Sequence, residues 1–179
     1  MTPWITKPVP FNIGQGAAAA GAGGCTGGDD LEMFSVSGSY GNFGANYLFI
    51  QRSLGTNGII DECYDQIAVK AQDPTSGNIR LGVYDDDGTD PDALYATTGS
   101  IALYDDYSFK PITEFTLTTV RTWLAVVKSE ASYLFQSGSV ETGDEVWASG
   151  VSGFPALPDP ATGSLSVGSE CRQMKIGHS

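Results

Sequence analysis

Short strands separated by turn-forming residues run from Leu31 to about Val151, and this pattern limits the fold more than any other feature. Alternating apolar side chains share one face in three segments, namely Ile67, Val69 and Ala71; Ile79, Leu81 and Val83; and Trp123, Ala125 and Val127. The turn signals TNG, DPTSGN, DDDGTDPD and ETGD separate such segments, and no amphipathic helix longer than two turns stands between them. Strands of this spacing predict an all-β fold, an antiparallel sandwich or barrel. We expect a jelly-roll-like β-sandwich with Trp123, Leu81 and Val83 buried.

Residues 1–30 differ in composition from the strand region. Three prolines near the start are followed by GQGAAAAGAGGCTGGDD, which offers almost no side chains for a core. The large apolar side chains here include Trp4, Ile5, Val9 and Phe11. Because the prolines keep the segment extended, it cannot bury these groups against itself. We therefore expect an extended assembly arm over residues 1–30, a β-sandwich domain over 31–165 and a C-terminal tail over 166–179.

The charge balance and the lack of long apolar runs together argue against nucleic acid, membrane insertion and secretion. Nine basic residues against twenty-one acidic ones give a net charge of −12, with no basic run, so nucleic acid is not expected to bind. No apolar run is long enough to cross a bilayer, so we expect no membrane insertion. The opening MTPWITKPVPFNIGQG also lacks the apolar region of a secretory signal peptide.

The three cysteines, Cys25, Cys63 and Cys171, form no C-x-x-C motif. An odd count leaves at least one thiol free. We expect three reduced thiols, with a single long-range disulfide as the alternative.

The strand NIRLGVY runs into the acidic stretch DDDGTDPD, which resembles a metal loop in composition. An EF-hand loop starting at Asp85 would require Asp or Asn, Gly and Glu where the chain has Thr89, Asp90 and Ala96. A looser calcium site on these carboxylates is the alternative. Because Asp side chains bond nearby amides and Gly88 permits positive φ, we expect a plain turn without an essential metal.

Catalytic constellations are not evident. The only histidine, His178, lies beside the carboxy terminus, and the chain has no G-x-S-x-G elbow, no His/Cys zinc spacing and no G-K-[ST] phosphate loop. No pair of carboxylates is singled out by an apolar pocket. We expect neither an enzyme nor a cofactor.

One loop has the composition of a sugar-binding surface. Tyr104, Asp105, Asp106 and Tyr107 combine aromatic rings with carboxylates that could accept from sugar hydroxyls, and they are candidate glycan contacts. The alternative is that both tyrosines are half-buried rim residues of the sandwich, with wet hydroxyl groups.

The segment NIRLGVYDDDGTDPDAL, followed by RTWLAVVKS and GFPALPDPATGS, resembles a module of tailed-phage virion proteins. Such modules occur in tail and head fibres, and related ones occur in bacterial surface proteins. They pair an R-L-G-I-Y-x-D-x-G-x-P strand and turn with a Y-W-L-A strand and an F-P-A-L-P segment, and the likeness covers about residues 60–165. Two turns depart from the pattern, at Pro91-Asp92-Ala93-Leu94 and in TTVRTWLA, which lacks the Pro-Gly.

This resemblance implies a jelly-roll-like β-sandwich on a virion surface, in a capsid decoration protein or a fibre or collar component. It implies assembly in the host cytoplasm, partners among other virion proteins and copies of the chain (a homo-oligomer, trimer favoured), and in some cases host attachment. It carries over no catalytic residue. The alternatives are a carbohydrate-binding module for a host surface glycan and a subunit of an extracellular filament.

Overall fold

A computed structural model gives the structure of the chain. It describes residues 25, 30–33, 40–41, 45–52, 61–72, 77–105, 107–119, 121–129, 134–139, 145–150, 154–159, 161 and 170–179. These residues contain fourteen β-strands and no helix. The strands are β1 (Leu31–Met33), β2 (Tyr40–Gly41), β3 (Tyr47–Arg52), β4 (Cys63–Val69), β5 (Ala71–Gln72), β6 (Asn78–Asp86), β7 (Pro91–Thr97), β8 (Ile101–Ala102), β9 (Lys110–Thr116), β10 (Trp123–Lys128), β11 (Leu134–Ser139), β12 (Glu145–Gly150), β13 (Glu170–Arg172) and β14 (Met174–Gly177). The expected all-β class is confirmed.

The strands form antiparallel sheets in two layers. The first sheet has the order β1-β14-β4-β9, and the second has the order β12-β3-β10-β6-β7, with β8 also paired to β6. A smaller sheet has the order β13-β11-β2, with β5 paired to β11. The main core lies between the first two sheets, where Tyr64 and Ile67 of β4 share a cluster with Leu81 and Val83 of β6. Alternation along β6 supplies its side of this core, whereas an irregularity in the pairing of β4 between Tyr64 and Gln66 brings Tyr64 and Ile67 to the same face.

Strand β10 is buried on both faces. Leu124 and Val126 belong to the core between the sheets, whereas Trp123 belongs to a second cluster on the opposite face. All six residues of β10 are buried, which explains why its sequence is almost continuously apolar. Trp123, Leu81 and Val83 are each 0% exposed, so their predicted burial is confirmed.

Residues 154–159, with the sequence FPALPD, cover the outer face of the second sheet. Leu157 is buried in the second cluster. The Tyr84 hydroxyl donates to the carbonyl of Pro158 at 2.7 Å, and Asp159 Oδ1 accepts from the amide of Leu94 at 2.9 Å. This covering segment explains why β10 and β6 have apolar side chains on both faces.

The C-terminal residues complete the first sheet. Strand β14 lies between β1 and β4, and Met174 and Ile176 are fully buried. A Cβ on Gly177 would lie 2.5 Å from Asp30 Oδ1 and 2.5 Å from Phe109 Cζ, so any larger residue there would displace these side chains. These contacts correct the expectation of a separate tail for residues 170–179, whereas residues 166–169 of that predicted tail lie outside the described residues. Two alternating apolar residues in a four-residue strand are too few to be recognised from sequence.

Candidate functional site

The acidic turn, residues Asp85–Asp90, is closed by its own carboxylates. Asp87 Oδ1 accepts from the amides of Thr89 and Asp90 at 2.8 and 2.7 Å and from the Thr89 hydroxyl at 3.1 Å. Gly88 has φ +106°, the left-handed region that glycine tolerates. Hydrogen bonds from the backbone amides of Asp90 and Thr89 hold the pKa of the Asp87 carboxyl below its usual value. The predicted role of aspartate and Gly88 in turn formation is confirmed.

Asp86 has a different role from Asp87, although the two are neighbours in sequence. Its Oδ1 accepts from Arg52 Nη1 at 2.5 Å, from Trp123 Nε1 at 3.2 Å and from the amide of Gly88 at 3.0 Å. The Arg52 guanidinium also lies 4.7 Å from the centre of the Trp123 ring. The side chains of Arg52 and Asp86 are each 3% exposed. We call Arg52, Asp86 and Trp123 the Asp86 cluster.

Strand register explains the position of this cluster. Trp123 of β10 pairs with Arg52 of β3 on one side and with Tyr84 of β6 on the other. Asp86 follows Tyr84 by two residues and therefore projects from the same face of β6. The cluster thus ties three adjacent strands together at the end of the sheet where the acidic turn begins.

A cleft of about 310 Å³ opens beside the turn, lined by Asp86, Asp87, Gly88, Thr119 and Arg121. The Thr119 hydroxyl donates to the carbonyl of Arg121 at 2.5 Å. The cleft presents both charge signs, because the Arg121 side chain is exposed beside the Asp87 carboxylate. Such a surface can hydrogen-bond a small polar ligand, but the oxygens of Asp86 and Asp87 named above already accept bonds from the protein.

Two of the four candidate glycan contacts, Tyr104 and Tyr107, are engaged in packing. The Tyr104 hydroxyl accepts from the amide of Val69 at 3.2 Å, and burial raises the pKa of Tyr104 to about 12. Asp105 is exposed, whereas Asp106 lies outside the described residues. The Tyr107 hydroxyl donates to Glu32 Oε1 at 3.4 Å, and burial, with the Glu32 carboxylate, raises the pKa of Tyr107. This geometry favours rim residues of the sandwich, and glycan binding stays a prediction.

Basic side chains lie over aromatic rings throughout the described part of the chain. The pairs, with the distance from the charged group to the ring centre, are Arg52 over Trp123 (4.7 Å), Arg80 over Phe154 (4.9 Å), Lys110 over Tyr104 (4.2 Å), Arg172 over Phe49 (5.3 Å), and Lys175 over Tyr107 (4.4 Å) and Phe109 (4.3 Å). These pairs use five of the nine lysines and arginines. Cations within about 6 Å of a ring face are attracted to it. Much of the positive charge is therefore held against the protein itself.

Cys25 and Cys63 form a disulfide, with Cα atoms 5.5 Å apart. The expectation of three reduced thiols is wrong for this pair. Cys25 is 4% exposed, and its amide donates to Asp65 Oδ2 at 3.1 Å. A separation of 38 residues leaves no sequence motif, because the partners are brought together by the packing of Cys25 against β4. Cys25 lies in the stretch expected to be an arm, yet it is fixed to the domain.

His178 is held against β4. Its ring lies 4.8 Å from the Tyr64 ring, and Nε2 is 3.4 Å from Glu62 Oε1. Its side chain is 7% exposed, so His178 is fixed to the domain although it lies beside the carboxy terminus. The cause is β14, which positions the residue that follows it.

The predicted assembly residues Trp4, Ile5, Val9 and Phe11 lie outside the described residues, so the arm stays a prediction.

Within the described part of the chain, no helix has the length and apolarity needed to span a bilayer. Comparison of the chain with protein-family models, with curated proteins and with solved structures finds no match.

Proposed function

We propose that this chain is a non-enzymatic structural protein of a tailed-phage virion, either a capsid decoration protein or a fibre or collar component. In this proposal it displays a jelly-roll-like β-sandwich at the particle surface and assembles through residues 1–30. The observation that carries the proposal is that the described residues of the three segments resembling the phage module pack against one another. Each acts as scaffold, and together they form one contiguous unit.

The contacts between these segments support that reading. NIRLGVY lies in β6 and WLAVV in β10, and the two strands pair directly, with Val83 opposite Leu124. The third segment covers this pair through the bond from Tyr84 to Pro158. A Cβ on Gly82 of β6 would overlap the Leu157 side chain of the covering segment. A motif set whose members pack on one another is expected of a structural module.

The signature polar residues are also used internally. Asp86 bonds Arg52 and Trp123, and Asp87 caps the turn. Catalysis requires a group positioned toward a substrate, with a pKa suited to proton transfer or nucleophilic attack. These carboxylates are instead committed to amides, an indole and a guanidinium, which supports the non-enzymatic part of the proposal.

The expected mode of assembly uses the arm. Cys25 is joined to Cys63 of β4, so residues 1–24 start from a fixed point on the domain. The apolar groups Trp4, Ile5, Val9 and Phe11 would then bury area on a neighbouring copy or on the shell, which suits a homo-oligomer, trimer favoured.

A truncation tests this assembly. Removing residues 1–24 keeps Cys25 and the disulfide, so the far-UV circular dichroism and melting temperature should match those of the full chain. Sedimentation velocity should show an oligomer for the full chain and a monomer for the truncated one. The matched control changes Trp4, Ile5, Val9 and Phe11 to serine in the full chain, and it should also sediment as a monomer. An unchanged sedimentation coefficient in both variants would refute the arm.

The virion location needs a separate test. Immunogold electron microscopy with an antibody to this chain should label particles released by lysis, at regular positions on head, collar or tail. Labelling of cell-surface filaments in place of particles would reject the proposal.

One observation favours the alternative of an extracellular filament subunit. Disulfides persist in oxidising compartments and are rare in the cytoplasm. The Cys25–Cys63 bridge is native to a secreted filament, whereas a virion protein would close it after lysis. Acid trapping of thiols in intact cells and in released material separates the two, because only a virion protein is expected to be reduced before lysis and oxidised after it.

A further inference from the structure

The disulfide lies beside a carboxylate on the outer face of the first sheet. Cys63 of β4 pairs with Thr116 of β9, and Glu114 precedes Thr116 by two residues. The side chains of Cys63 and Glu114 therefore project from the same face of the sheet. The sulfur atoms of Cys25 and Cys63 and a carboxylate oxygen of Glu114 lie within 4.8 Å of one another. Glu114 is exposed and Cys63 is half-buried, so solvent and small ions reach this group. We call these three residues the cysteine–glutamate cluster.

A second carboxylate beside the cluster lacks a full set of partners. Asp65 is 9% exposed, and its Oδ2 accepts from the amide of Cys25 at 3.1 Å. Its Oδ1 is buried without a hydrogen-bond partner among the described residues. A buried acceptor without a partner is costly, and more so when it is charged.

We propose that, once the disulfide is reduced, the cysteine–glutamate cluster binds a thiophilic divalent cation, Zn²⁺ in the cell. The ligands are the thiolates of Cys25 and Cys63 and a carboxylate oxygen of Glu114, with water in the fourth position. Cysteine sulfur and carboxylate oxygen are both ordinary zinc ligands in tetrahedral sites. The inference does not depend on the proposed function.

The required movement is small. At a zinc–sulfur distance of about 2.3 Å, tetrahedral geometry separates two sulfur ligands by about 3.8 Å. Two reduced sulfurs must move apart from bonding distance in any case, and the carboxylate oxygen already lies within 4.8 Å of both. The Glu114 side chain is exposed, so its rotation toward the sulfurs is not opposed by packing.

The exchange between the two forms balances. Two equivalents of a low-molecular-weight thiol reduce the sulfur–sulfur bond by two electrons and are oxidised to their own disulfide, and both protein thiols receive a proton. Binding of Zn²⁺ then displaces these two protons. Cys25 is thus held to β4 by a metal under reducing conditions and by a covalent bond under oxidising conditions.

Cobalt titration of the full chain tests the proposal. The chain is reduced with a phosphine, which is removed, and Co²⁺ is added under anaerobic conditions as a spectroscopic substitute for Zn²⁺. We expect one Co²⁺ per chain, with sulfur-to-cobalt charge-transfer absorption and the visible bands of tetrahedral coordination, both abolished by added Zn²⁺. Circular dichroism of the reduced chain, before and after metal, records the strand content.

Three variants assign the ligands. Cys171→Ser, the matched control for loss of a thiol, should bind as the parent does. Cys25→Ser should lose at least half of the charge-transfer absorption. Glu114→Gln changes an exposed residue and should fold normally, but its affinity should fall about tenfold or more, the scale seen even for residues that only support metal ligands.

Thiol protection gives a second readout. Zn²⁺ should slow alkylation of Cys25 and Cys63, measured by mass spectrometry of peptides, and leave the rate at Cys171 unchanged. If the reduced chain loses strand content, added Zn²⁺ should restore it. The proposal is overturned if the reduced chain takes up no metal, if uptake is the same in Cys25→Ser, or if Glu114→Gln binds as tightly as the parent.

Discussion

Replacing Asp86 with asparagine removes a charge from the interior while keeping the shape of the side chain. Asp86 Oδ1 accepts from Arg52, Trp123 and the amide of Gly88, and an amide oxygen can still accept from some of these donors. What the variant loses is the negative charge that lies 2.5 Å from the Arg52 guanidinium. The free energy of unfolding should therefore fall mainly through the electrostatic term.

The magnitude follows from burial. Both side chains are 3% exposed, so solvent screens the pair weakly. Breaking a buried ion pair by removing one partner costs about 3–5 kcal/mol. Since the amide retains hydrogen bonds worth about 1 kcal/mol each, we expect about 3 kcal/mol for Asp86→Asn. For a chain of this length that lowers the melting temperature by about 6–12 °C.

Urea denaturation followed by far-UV circular dichroism measures this change, with the free energy extrapolated to water. Asp87→Asn is the matched control, because it removes a neighbouring carboxylate that is exposed, and it should unfold close to the parent. The double variant Arg52→Met, Asp86→Asn removes both charges and should be at least as stable as Asp86→Asn alone. Equal unfolding free energies for Asp86→Asn and Asp87→Asn would refute the reasoning.

Four further outcomes are expected. Trp123→Ala should cost about 3–5 kcal/mol, as for a fully buried aromatic, and a variant that melts like the parent would contradict the core described above. Cys25→Ser should cost about 4 kcal/mol by loss of a cross-link over 38 residues, whereas Cys171→Ser measured alongside it should not change the melting temperature. The pKa of Asp87, measured by NMR, should lie below 3.8. The contribution of the ionised Asp87 to stability is then present above pH 3.8 and is lost as the pH falls through the folded-state pKa. A measured pKa at or above 3.8 would exclude the hydrogen bonds that Asp87 accepts within the turn. Because burial raises the pKa of Tyr104 from 10.0 to about 12, the contribution of neutral Tyr104 to stability is present below pH 10.0 and is lost as the pH rises toward about 12. Ultraviolet titration should show a fraction of the tyrosines ionising above pH 10.0, and Tyr104→Phe should reduce that fraction. An unchanged fraction in Tyr104→Phe would be the contrary result.

Local alternation was enough to predict the central strands. Ile79, Leu81 and Val83 recur at every second position, and burial of one strand face follows directly from that period. The turn after β6 was also predictable, since aspartate and glycine act on their immediate neighbours. In each case the determining contacts lie within a few residues along the chain.

Contacts between distant strands could not be predicted in this way. Asp86 belongs to an acidic run in the sequence, and its burial depends on the register that brings Trp123 and Arg52 beside it. One signal was available, because Asp86 continues the alternation of Tyr84 on the face opposite the main core. The Cys25–Cys63 pair gave no such signal, because the two cysteines come close only when Cys25 packs against β4.

The stacking of basic groups over aromatic rings has a consequence for how copies of the chain meet in solution. With these cations held inward and a net charge of −12, approaching copies repel each other through fields that decay over about 8 Å at physiological ionic strength. Added salt weakens this repulsion, whereas it also weakens the attraction that speeds encounter with a positively charged surface. A plot of association rate against ionic strength should therefore rise for self-association and fall for capture by a basic partner.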